Sequence, residues 1–121
     1  MNYTIITNNP TVAENYENVS MVNGDFEDVL VTIRNLVQGG MSLVTHPLPA
    51  SIRLMFAPYR SVILKPGDNG MDRVLQLEIV EDSLKKYREV TSFRKVDYRN
   101  GSDYENLDSW LLVNAIHEIN I

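Results

Sequence analysis

The spacing of apolar and polar positions changes several times along the chain, and each change predicts an element. Tyr3 to Thr7 (YTIIT) is aromatic and β-branched and stops at Asn8, Asn9 and Pro10, which reads as a buried strand opening onto a turn. Pro10 suits the first helical position and Asn9 the N-cap, so a short helix is expected to about Asn18, with Val12, Ala13 and Tyr16 as its thin apolar stripe. Val19 to Val22 follows as a second strand, ended by Asn23 and Gly24. From Asp25 the period becomes helical: Phe26, Val29, Leu30, Ile33 and Val37 share one face, acidic Glu27 and Asp28 occupy the first turn, and Gly39 and Gly40 close the other end.

Ser42 to Thr45 predicts a third strand and Ser61 to Lys65 (SVILK) a fourth, while Leu48 to Tyr59 has no clean period. A long amphipathic helix is expected over about Asp72 to Val90. Val74, Leu77, Val80, Leu84 and Tyr87 face inward, and the charges, Glu78, Glu81 and Asp82 among them, form a solvated face. A polar connector with an Asn-Gly turn then leads to a last helix from about Leu107 to Asn120, with Leu107, Leu111, Leu112, Ala115, Ile116 and Ile119 on a broad apolar face.

Strands alternating with helices predict a small Rossmann-like three-layer α/β domain spanning residues 1–121. Its four-stranded sheet is expected to be mainly parallel, in order 2-1-3-4, with about four helices. Such a sheet has a switch point between strands one and three, and a ligand crevice lies at the carboxyl ends of those strands. The turns meeting there carry Thr7, Asn8 and Asn9 on one side and Thr45, His46 and Ser51 on the other. Arg53, Tyr59, Arg60 and Ser61 follow on the irregular stretch. A helix N-terminus beside Asn9 and two arginines suit a carboxylate or phosphate. His46 is the candidate acid or base, since its pKa lies near neutrality.

Composition narrows the chemistry. The 121 residues are 44% hydrophobic and 22% charged, an ordinary globular balance. A net charge of -5 opposes attraction to a phosphate backbone, so nucleic acid is not an expected partner. The absence of cysteine removes disulfides, thiolate nucleophiles and cysteine metal ligands, and fits a cytoplasmic protein. No metal signature, nucleophile elbow or phosphate loop is present, and no cofactor or membrane association is expected. His117 near the end of the last helix suits its C-terminal dipole. Trp110 suits burial against the sheet or a subunit boundary.

Three groups of residues together resemble a known family. Thr7-Asn8-Asn9-Pro10, Thr45-His46-Pro47-Leu48 and Pro58-Tyr59-Arg60-Ser61-Val62, with a fainter echo at Asp103-Tyr104 and Leu107-Asp108-Ser109, are similar to the GrdX-type family. These are small proteins encoded with the glycine reductase system of amino-acid-fermenting anaerobes. The chain departs from that pattern at Pro49 and Ala50, where a glycine is expected. The resemblance implies an accessory protein that recognises a small anion or a component of the reductase. Two other readings stand beside a ligand-binding accessory: an enzyme of small acyl or phosphoryl compounds using His46, and an interaction module that docks on a reductase component or forms a homodimer through the last helix.

Overall fold

The computed structural model describes residues 2–119, and each of its first three α-helices begins at a side-chain N-cap. Strand β1 (Thr4–Thr7) runs into α1 (Pro10–Asn15), whose N-cap Asn9 accepts the Thr11 amide. Only Val12 of this helix is buried, and it ends three residues before the expected Asn18. After β2 (Val19–Met21), α2 (Phe26–Gln38) opens on a capping box in which the Asp25 and Asp28 side chains each accept the other's backbone amide. All five of its predicted core residues are buried.

Strand β3 is shorter than expected. It covers Ser42–Leu43, because the amides of Val44 and Thr45 both turn to the single carbonyl of Ile63. A 3₁₀ segment, Ile52–Phe56, lies within the stretch that lacked a period, and β4 (Ser61–Lys65) matches its expected bounds. Helix α3 (Arg73–Phe93) is capped by Asp72. Helix α4 (Gly101–Ile119) starts six residues before the expected Leu107. Its first turns are polar and are held by contacts with the rest of the protein, so hydrophobic spacing gave no sign of them. The expected end at Asn120 lies outside the described residues.

The sheet order is β2-β1-β4-β3, with β1 and β2 parallel and both pairs made by β4 antiparallel. This corrects the expected mainly parallel, Rossmann-like sheet of order 2-1-3-4. Parallel neighbours need a crossover that carries the chain back along the sheet, usually a helix. The connection between β3 and β4 holds only the 3₁₀ segment, so β4 returns antiparallel. Its unbroken apolar run, Val62, Ile63 and Leu64, is buried on both faces and takes a central place. Two-residue β3 is left at the edge, where buried Gln76 accepts the Leu43 amide at 2.9 Å.

Helices cover both faces of the sheet. Ile6, Val62 and Leu64 meet Val29, Ile33 and Val37 of α2 and Val80 of α3. Beside them Phe26 and Leu30 pack with Leu84, Tyr87, Leu48 and Met55. On the opposite face Ile5 and Ile63 meet Val12 of α1 and Leu112 of α4. One expected core position is instead exposed: Val74 is 64% accessible, because the first turn of α3 directs Arg73 and Gln76 inward. Trp110, expected either against the sheet or at a subunit boundary, is 60% accessible on α4 and so is not buried against the sheet. Among the described residues no helix is long and apolar enough to cross a membrane.

Tyr87 stacks on Phe26 with ring centroids 4.6 Å apart. Burial raises its phenol pKa well above 10.0, with Asp25, Tyr98 and Glu27 adding to the effect. The folded state therefore holds the proton more tightly than the unfolded chain. This contribution to stability is complete below the unfolded pKa near 10.0 and is lost as pH climbs toward the folded value. The urea midpoint of the parent should fall between about pH 9 and about pH 11, and Tyr87→Phe should flatten that fall. Parallel pH dependence in the two proteins would refute this assignment.

Candidate functional site

The site is built at the end of the sheet where β1 stops and β4 starts. Thr7 and Ser61 are direct cross-strand partners, and their hydroxyl oxygens are 2.7 Å apart on the face covered by α1 and α4. Thr7 Oγ1 accepts the Asn9 amide at 2.9 Å. Asp108, 6% exposed and carried in by α4, accepts from the Ser61 amide at 3.0 Å, from Ser61 Oγ at 2.7 Å and from Asn9 Nδ2 at 3.0 Å. Because Ser61 donates its hydroxyl proton to Asp108, Thr7 is the donor to Ser61. Asn9 Nδ2 also donates to the Glu105 carbonyl at 2.9 Å, which ties α4 to the turn after β1.

Asn8 and Arg60 extend this network to the second corner. Asn8 Nδ2 donates to the carbonyls of Pro58 at 2.8 Å and Gly24 at 3.1 Å, and its Oδ1 accepts the Arg60 amide at 2.9 Å. The Arg60 guanidinium donates through Nε to the Pro47 carbonyl at 3.0 Å and through Nη2 to the His46 carbonyl at 2.8 Å. The Asn-Asn-Pro and His-Pro corners therefore lie at one rim, joined by Arg60. The expected crevice between β1 and β3 is absent, since β4 lies between those strands. Burial lowers the Arg60 pKa from its ordinary value and the Asp108 charge opposes that shift; an arginine remains protonated under such conditions.

Around Arg60 the surface opens in two places. A narrow cleft, with room for about one water at about 10 Å³, lies among Tyr59, Arg60, Tyr104, Leu107 and Asp108. Beside it a recess of about 240 Å³ is walled by Leu48, Pro49, Ala50 and Leu54 on one side and by Leu111, Leu112 and Ala115 on the other. Thr45, Ser51, Arg60 and Ser61 are its polar lining. Arg60 is the single cation in this lining, and no carboxylate joins it. Among the described residues Arg60 forms no salt bridge, and its Nη1 has no hydrogen-bond partner.

The ten sequence-predicted residues thus separate by position. Thr45, Ser51, Arg60 and Ser61 share the recess, and Tyr59 lines the adjoining cleft. Burial raises the Tyr59 pKa, helped by the nearby Glu105 carboxylate. Thr7, Asn8 and Asn9 are buried and bonded to the protein itself. His46 is exposed, its Nδ1 accepts the Leu48 amide at 3.0 Å, and its side chain borders a different depression with Asp82, Ser83 and Lys86. Arg53 is exposed in the 3₁₀ segment. Sequence reasoning gave no role to Asp108 or Glu105. One signal was available: Asp108 precedes Leu112 by four and Ala115 by seven, which puts a carboxylate on the buried stripe of α4.

The family model of GrdX-like proteins matches residues 4–117, from the start of β1 to the last turn of α4. The chain belongs to the GrdX-like family. The matched span takes in both the β1 and β4 corners and Asp108, so the whole network lies inside the GrdX-like region. No curated protein and no solved structure matches the chain.

Proposed function

We propose that this GrdX-like chain is a non-catalytic accessory protein that binds a small anion in the recess beside Arg60. The observation that carries the reading is the state of that guanidinium. Two backbone carbonyls fix its plane, no carboxylate neutralises it by a salt bridge among the described residues, and it lines a largely apolar recess. A concave, mostly apolar site with a few convergent polar groups is the usual form of a small-ligand site. In such surroundings a charged hydrogen bond is worth more than it is in water. Asp108 lies close enough for its charge to favour the protonated guanidinium, but its oxygens are bonded to Ser61 and Asn9 and it is not part of the recess lining.

An accessory role beside the glycine reductase system is the context that family membership suggests. The enzymatic alternative has less behind it: His46 and Arg60 open onto different depressions, and the recess lining contains no carboxylate or histidine to act as acid or base. Titration calorimetry with acetate, inorganic phosphate and acetyl phosphate tests the binding reading. The expected result is saturable binding that weakens at least about tenfold in Arg60→Met, the loss of one charge-assisted hydrogen bond. Arg60→Lys should retain part of it. Absence of saturable binding by the folded parent to all three anions and to longer monocarboxylates would rule the reading out.

A further inference from the structure

Resting on the binding reading above, we infer that the ligand class is a monocarboxylate with a short aliphatic tail, in preference to phosphate or a phosphorylated metabolite. The charge in the recess sets the first limit. One guanidinium faces it, with the hydroxyl of Thr45 beside it; that oxygen accepts the Ile63 amide at 2.9 Å and keeps its own proton to donate. The Ser61 hydroxyl is already committed to Asp108. Arg60 and Thr45 match the two oxygens of a carboxylate, and the Ser51 hydroxyl at the rim is the one further free donor in the lining. A phosphate dianion brings a second negative charge that the single cation of this lining does not match, and the chain's net charge of -5 penalises each added negative charge.

The walls set the second limit. Leu48, Pro49, Ala50, Leu54, Leu111, Leu112 and Ala115 offer only apolar surface, supplied by two separate segments that face each other across the gap. Inorganic phosphate or acetate would leave that surface wet, whereas a hydrocarbon tail removes it from water. About 240 Å³ is below the range of drug-sized sites, so the tail is short. Burial of each methylene strengthens binding about fourfold. The carboxylate thus meets Arg60 and the tail lies between the leucines of α4 and those of the stretch before β4.

Titration of the full chain with acetate, butanoate, hexanoate, hexan-1-ol and inorganic phosphate, followed by calorimetry and amide chemical shifts, tests the inference. Affinity should climb about fourfold per methylene along the acids until the recess is filled, with hexan-1-ol and phosphate each at least about tenfold weaker than hexanoate. Ala115→Phe narrows the recess from a half-buried helical position without touching Arg60, and should abolish the gain with chain length while acetate binding persists. Equal affinity for acetate, hexanoate and phosphate would overturn the tail and leave the small-anion reading intact. Equal affinity for hexanoate and hexan-1-ol would overturn the role of the charge. Binding of none of the five would overturn both readings together.

Discussion

Asp108→Ala should lower the stability of the folded chain by about 2–5 kcal/mol, the cost of leaving buried donors without their charged acceptor. Three donors converge on this carboxylate: the Ser61 amide, the Ser61 hydroxyl and Asn9 Nδ2. Alanine leaves the amide and the carboxamide without those acceptors inside the protein, and each orphaned buried group costs about 1–3 kcal/mol. Arg60 loses the negative charge that offsets its burial. Alanine's better helix propensity returns only about 0.5 kcal/mol. Asp108→Asn keeps the shape but turns an N-H₂ group toward donors, so an intermediate loss is expected. Urea unfolding followed by circular dichroism measures both. A loss below about 1 kcal/mol for the alanine variant would mean that water replaces the carboxylate and that the network does not hold α4 to the sheet.

The second large effect belongs to the opposite face of the sheet. Phe26→Ala should cost about 3–5 kcal/mol, as removal of a fully buried aromatic side chain does. Phe26 is 0% exposed, opens α2, and stacks on Tyr87 of α3 with Leu30, Leu84, Leu48 and Met55 around it. The lost side chain both exposes its neighbours to a cavity and removes the contact that joins the two helices to the irregular stretch before β4. Leu48 also lines the recess, so this variant is expected to weaken anion binding without touching the recess itself. Denaturation midpoints and the butanoate titration on one preparation test the two effects together. Full stability after the substitution would show that this cluster collapses around the gap.

These two sites differ in how readable they were. Phe26 and its partners on α2 stand at helical spacing, and all five buried positions were visible from that spacing alone, because a helix's core face is a local property of the chain. Asp108 was not visible in this way. A carboxylate in an apolar stripe has no meaning until Ser61 and Asn9, 47 and 99 residues away along the chain, are brought against it. Arg60 was recognised as a candidate cation, but its setting came from the His46 and Pro47 carbonyls. Conversely, the hydrogen-bonding groups of Thr7, Asn8 and Asn9 were expected in a ligand crevice and serve the protein's own backbone and side chains.

Local pattern alone determined where the four strands and four helices lie, to within a few residues except at the start of α4, because caps, β-branched runs and helical spacing act over a turn or two of chain. It also determined the acidic character of the molecule and the single stretch where polar groups and prolines concentrate. Only the tertiary structure decided that β4 enters between β1 and β3, and therefore that no β1/β3 crevice exists and the recess forms between α4 and the segment before β4. Strand order depends on which apolar run gains most from being covered on both faces, a comparison among distant segments that no local spacing records.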